Sequence, residues 1–258
     1  LDPTLLAFLA GSLTTVSSVL IYRRYFRRIQ NSDWVTPPML EKRKWIRGVV
    51  TSVGDADNFR LYHTPAFGWG WPLKFRRVPQ NAKELKDMTI HIRIAGIDAP
   101  EAAHFGREAQ PYAAESLEFL QSKVLHQTVY CQLLRRDQYG RTVATVLLRP
   151  RLFLPASLVS GPSLALAMLK AGWAATYEQA GAEYGKSGKA AFLMAERQAK
   201  YSSFFSRDRR RGMWASGLDG ETPAEYKRRH AAMESGRPGQ TSTRKSRSTA
   251  GGKWYSFW

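Results

Sequence analysis

Thr89-Ile90-His91-Ile92-Arg93-Ile94 alternates strictly between apolar and polar residues. A period of two puts the three isoleucines on one face of a strand and His91 and Arg93 on the other. The strand runs at once into Ala95-Gly96-Ile97-Asp98-Ala99-Pro100-Glu101, a Pro-containing turn that carries two acids. A half-buried strand with an arginine on its polar face and an acid pair at its exit constrains the fold, because the isoleucine face needs a second layer to bury it.

Four more segments have strand character. Residues 45–53 are rich in β-branched residues, 59–63 alternate, and 127–134 and 141–148 complete the set. Gly54-Asp55-Ala56-Asp57-Asn58 is a turn by composition. Helical spacing covers 106–124, 161–171 (with Pro162 near the first turn) and 187–203. Trp214 is expected to close the fold as a packed aromatic. Five strands in a meander-like order with three helices predict an α+β domain, a small five-stranded barrel of OB type capped by helices.

Asp55 and Asp57 lie in the turn between the first two strands, and Asp98 ends the third. In a small barrel, strand ends and turns on one rim meet, so these acids can form an oxygen-rich site for a hard cation. Asp55 is equally explained as a turn residue. Glu101 is placed to take a proton from a water aligned behind a phosphate, or to serve as an acid at a helix start. Arg93 and Arg141 suit a two-pronged clamp on phosphate oxygens. The five histidines show no metal-ligand spacing, and His104 is set aside as catalytic despite its closeness to Glu101.

The 258 residues carry a net charge of +18, which points to a polyanionic partner, nucleic acid or an acidic membrane surface. A single cysteine, Cys131, excludes an internal disulfide and a thiolate zinc site, and no disulfide-linked partner is expected. Residues 5–22 contain no charge and are followed by Arg23-Arg24-Tyr25-Phe26-Arg27-Arg28. A run of that length with a basic flank reads as a membrane anchor. The chain opens on Leu1 rather than Met, so residues upstream are expected. The division is 1–28 anchor and basic flank, 29–43 linker, 44–215 folded domain, and 216–258 a basic, largely disordered tail. Between the second and third strands lies Phe67-Gly68-Trp69-Gly70-Trp71-Pro72-Leu73-Lys74-Phe75-Arg76-Arg77. Aromatics interleaved with cations can stack bases, or pack as a local cluster under a long loop.

Val53-Gly54-Asp55-Ala56-Asp57-Asn58, Arg93 to Glu101, and Arg136-Asp137-Gln138-Tyr139-Gly140-Arg141 resemble, in order, the motifs of the staphylococcal-nuclease-like (thermonuclease) family. The resemblance spans about residues 44–215 and is strongest to its fungal membrane-anchored probable endonucleases. It implies an OB barrel and Ca²⁺-dependent endonucleolytic hydrolysis of DNA or RNA, with a catalytically weak or inactive nucleic-acid-binding module as the alternative. It implies catalytic roles for Arg93, Glu101 and Arg141, Ca²⁺ carboxylates at Asp57 and Asp98, and a carbonyl ligand at Ala99. It also implies a single-pass protein of a mitochondrial membrane, the endoplasmic reticulum being the alternative. The family's Asp-Gly-Asp turn is Asp55-Ala56-Asp57 here, which adds a Cβ beside the expected cation.

Overall fold

The computed structural model describes residues 2–70, 73–103, 108–149, 161–201, 212–215 and 221–235. Five strands close into a barrel: β1 Trp45–Asp55, β2 Asn58–His63, β3 Ile90–Ile94, β5 Thr128–Arg136 and β6 Thr142–Leu148, in the order β1-β2-β3-β6-β5. The short strands β4 Ile97–Asp98 and β7 Ala175–Thr176 pair separately. The expected OB architecture is present, but the order is no simple meander. β3 pairs β6 in parallel, and β5 returns to lie beside β1. Helix α4 Ala113–Val124 carries the chain across between β4 and β5, which permits that closure.

The alternation in β3 is realised as read. Ile90, Ile92 and Ile94 are fully buried with Phe59, Leu61, Val129, Leu133 and Val146, while His91 and Arg93 face the other way. Helices α5 Leu164–Ala171 and α6 Gly188–Lys200 cover the core with Met168, Leu169 and Phe192. Ser163 caps α5 through its hydroxyl, and left-handed Gly172 ends it. Trp214 is buried against Ala175 and Ala199, as expected.

Helix α1 Pro3–Ile21 stands clear of the barrel with no buried residue. Its 19 residues reach about 28 Å, and it is long and apolar enough to cross a membrane. Thr14 and Thr15 donate their hydroxyls to the Gly11 carbonyl, so neither asks for water.

Two expectations change. Residues 29–43 are no free linker: Ile29 and Val35 are buried in the core, and Ile29 N–H donates to His63 Nδ1 at 2.8 Å. The short helix α2 Pro37–Glu41 rests on β5, and a further short helix, α3 Ala82–Leu85, lies in the β2–β3 connection. Within the stretch read as a tail, Pro223–Ser235 forms helix α7. Thr222 and Glu225 start it with a capping box: Thr222 N–H meets Glu225 Oε2 at 2.9 Å, and Glu225 N–H meets Thr222 Oγ1 at 3.3 Å. Tyr226 is then buried against the domain. Residues 236–258 lie outside the described residues.

Candidate active site

The barrel end where β1 turns into β2 gathers the predicted residues. Asn58 and Arg93 are register partners across β2 and β3, so the hairpin turn sits beside the end of β3. Arg93 Nε lies 3.2 Å from Asp57 Oδ2, and its terminal nitrogen 3.4 Å from Asp98 Oδ1. One guanidinium therefore joins the two acids from separate loops. The chain reaches Asp98 only by reversing at Gly96, whose φ is +77°. A Cβ there would fall 2.7 Å from the Phe192 ring and 2.8 Å from the Glu183 carbonyl oxygen.

Asp98 is fixed from the far side as well. It pairs with Ala175 in the β4–β7 ladder. Thr176 N–H of β7 donates to Glu196 Oε2 of α6 at 2.9 Å. Burial pushes the Asp98 carboxyl up, and the neighbouring charge of Asp57 adds to that; Lys227 and Arg93 oppose it. Its Oδ2 is buried without a hydrogen-bond partner. A buried carboxylate oxygen left open beside a second carboxylate is a seat for positive charge.

Arg141 reaches the same end by another route. Asp137 accepts its backbone N–H at 2.8 Å and its Nε–H at 2.6 Å, and also accepts the Tyr139 N–H. Burial disfavours the Arg141 charge, but the Asp137 hydrogen bond and the charges of Asp57, Asp137 and Asp55 outweigh it and raise its pKa. Arg141 thus lies within the field of the Asp57, Asp137 and Asp55 charges, and Asp137 holds its Nε. Ala99 is buried next to Asp98. Ala56 is not among the described residues with positive φ, and it packs into the core. The extra Cβ is therefore accommodated without strain. Asp55 keeps to turn chemistry, accepting Asn58 Nδ2 at 2.9 Å.

Comparison with known proteins decides the family. Residues 91–216 match the model described as staphylococcal nuclease homologue. A protein described as probable endonuclease LCL3 of Schizophyllum commune is 60% identical over 233 residues, which is 90% of this chain and 77% of that protein. The chain belongs to the staphylococcal nuclease homologue family. Proteins of the same description in Paracoccidioides brasiliensis and Pyricularia oryzae are 46% and 43% identical, covering 91% and 86% of this chain and 66% and 80% of their own lengths.

Several residues of this family member's site were missed in the sequence. Asn58 donates to Asp57 Oδ1 at 3.1 Å and meets His91 Nε2 at 2.9 Å through its own Oδ1, so His91 and Asn58 together orient Asp57. Burial, then Arg60 and Arg141, lower the His91 pKa and keep the ring neutral for that contact. The Tyr177 ring lies 5.3 Å from the Arg93 guanidinium. Gln110 accepts Glu101 N–H at 3.3 Å and returns its own N–H to the Glu101 carbonyl at 2.9 Å. Lys227 of α7 is the largest surprise: its ammonium sits 2.5 Å from Asp98 Oδ1 and 2.8 Å from Glu101 Oε1. Among the described residues, Lys227 is what joins Glu101 to Asp98. His104, near Glu101 in sequence, lies outside the described residues.

Among the described residues, no three His, Cys, Asp or Glu side chains form a metal-holding group. A hard cation takes six or more oxygens and accepts water and backbone carbonyls. Two carboxylates with one open oxygen fit such a partly hydrated ion.

Proposed function

We propose that this protein is a membrane-anchored, Ca²⁺-dependent endonuclease that hydrolyses phosphodiester bonds of DNA or RNA. The observation that carries the reading is the bridge of Arg93 between Asp57 and Asp98, with Glu101 three residues on in the chain and Arg141 held by Asp137. The relatives' printed description as probable endonucleases supports it.

Asp57 and Asp98, with the Ala99 carbonyl, would hold Ca²⁺, which supplies a hard positive charge for phosphate oxygens. Arg93 and Arg141 donate to the non-bridging oxygens and gain strength as those oxygens take on charge in the transition state. Glu101 accepts the proton of the attacking water, and the phosphorus–oxygen bond on the opposite side breaks. Asn58 and Gln110 hold the carboxylate carriers still, and Tyr177 limits the sweep of Arg93. The uncharged run 5–22 and the arginines after it favour anchoring through α1, with the bulk of the chain on the basic side. A mitochondrial membrane is the address that the family resemblance supports, and fractionation of tagged cells tests it.

A plasmid-nicking assay on the full chain in detergent, with Ca²⁺ and with chelator, tests the activity. Ca²⁺-dependent conversion of supercoiled to open-circular DNA is expected. Binding without nicking at any calcium level would favour the alternative, a nucleic-acid-binding module. The observation on that side is Lys227, which occupies both Asp98 and Glu101.

A further inference from the structure

The aromatic loop between β2 and β3 plays no part in the site above. It leaves β2 at His63, whereas the site lies at the Asn58 end, about 17 Å away along six strand residues. The loop is well braced. Arg47 holds its root by donating to the Thr64 and Ala66 carbonyls. The Phe75 and Arg76 N–H groups both donate to the Gly68 carbonyl, at 3.1 and 2.7 Å. Yet this braced loop leaves Phe67, Leu73 and Phe75 exposed by 52%, 58% and 62%. Ordered apolar side chains turned to solvent in one patch mark a contact surface.

Its neighbour names the occupant. Phe26, just past α1, meets the Phe67 ring edge-on at 5.5 Å, and Phe67 meets Phe75 at 5.9 Å. Tyr22, at the end of the apolar helix, stacks on Phe26. Arg28 then ties the same end of the barrel to the anchor by donating to the Met88 carbonyl at 2.9 Å. The patch is therefore level with the point where α1 would leave a bilayer. Its cations, Lys74 and Arg77, are exposed beside it. Aromatic and aliphatic groups with lysine and arginine at that depth are the composition of a membrane–water boundary.

Resting on the anchor reading, we propose that the loop around Phe67, Leu73 and Phe75 is a second membrane contact, inserted at the boundary of an anionic bilayer. It seats the barrel with Asp57, Asp98 and Arg93 pointing away from the lipid. The surface then serves lipid, and the substrate is met at the far end.

Nitroxide labels on single introduced cysteines test this in the full chain, reconstituted into vesicles of phosphatidylcholine and phosphatidylglycerol in equal amounts. Cys131 stays unlabelled because it is fully buried and its thiol pKa is pushed up by that burial. Phe75→Cys should be reached by oxygen in preference to a water-soluble nickel reagent, and Tyr139→Cys by the reverse. Val16→Cys reports the span separately. Phe75 in water with Val16 in lipid overturns the loop contact and leaves the span standing. Phe75 in lipid with Val16 in water keeps the loop contact and removes the span, and both in water removes both. Immobilisation of the Phe75 label by a single-stranded oligonucleotide instead of by vesicles also overturns it.

A different observation carries a second inference, which rests on the Ca²⁺ reading. Lys227 does not approach the acids casually. Tyr226 beside it is buried and hydrogen-bonded through its hydroxyl to the Glu108 carbonyl, and Gln110 donates to the Glu221 carbonyl at 2.8 Å. α7 thus packs over the acids, with an ammonium bonded to both the metal carboxylate and the base. An ammonium on Glu101 Oε1 takes one oxygen of the base, which suits a resting state and not turnover. We infer that α7 is a built-in cap, and that Lys227 holds Asp98 Oδ1 and Glu101 Oε1, beside the open Asp98 Oδ2, until Ca²⁺ displaces it.

Calorimetric Ca²⁺ titration of the wild type and Lys227→Met should show binding about tenfold tighter in the variant, as for loss of a competing ion pair. Amide exchange over 223–235 should rise when Ca²⁺ is added to the wild type. Equal affinities with unchanged exchange overturn the cap. Failure of both proteins to bind Ca²⁺ overturns the metal reading, and the cap falls with it. Tyr226→Ala, which loosens the helix without touching the acids, should tighten Ca²⁺ binding in the same direction, and no change there also counts against the cap.

Discussion

The two ends of the barrel are built from the same strands and treat buried polar groups in opposite ways. At the end next to α1, His63 is buried and accepts the Ile29 N–H, and Arg28 is spent on the Met88 carbonyl and the Tyr62 ring. At the other end Asp57, Asp98 and Arg93 are crowded together, and Asp98 Oδ2 is left without a partner. Satisfied polar groups fix a structure, while an open buried carboxylate is tolerable only where a ligand completes it. Charge is therefore spent on structure at one end, and on the proposed chemistry at the other.

That contrast is sharpest in turnover. Arg93→Ala and Glu101→Gln should each lower the nicking rate by roughly 10² or more, because each removes a charge-stabilising or proton-accepting group. Circular dichroism of both variants should remain that of the folded protein. Gly96→Ala attacks the same end through the backbone. With φ at +77° and atoms closer than 3 Å to the new Cβ, it should cost about 2 kcal/mol or more, read as a lower melting midpoint.

The end next to α1 should instead respond to acid. Burial first, then Lys44, Arg28 and Arg47, push the His63 pKa down to about 3. The unfolded imidazole titrates near 6.5, so the unfolded state binds more protons between those values and stability rises with pH across that window. At pH 5 the loss relative to neutral pH is about 2 kcal/mol, and His63→Gln should flatten the profile below pH 6.5. A flat wild-type profile would break the contrast. The smallest effect is expected for Asp137→Asn, which loosens Arg141 without removing it and should slow nicking by about tenfold.

Much of this was legible in the chain. The period-two isoleucines of β3, the turn at 54–58 and the motif from Arg93 to Glu101 led to the barrel and to the acids and arginines at one end. The parallel β3–β6 pairing was not legible, because local periodicity carries no information on which strands close a barrel. Ile29 and Val35 were hidden inside a stretch that is polar on average. Helix α7 did leave a signal, the Thr222-Pro223-Ala224-Glu225 capping box, but the basic composition around it masked it. Lys227 could not be placed from sequence at all, since its contact with Asp98 spans 129 positions.

Nicking of supercoiled plasmid by the full chain, with the wild type and Glu101→Gln compared in Ca²⁺ and in chelator, tests the assignment of chemistry to the Asp57–Asp98 end. The wild type should nick in Ca²⁺ and stop in chelator, and Glu101→Gln should be slower by roughly 10². Wild-type nicking that survives chelator, or a Glu101→Gln rate equal to the wild type, would contradict it.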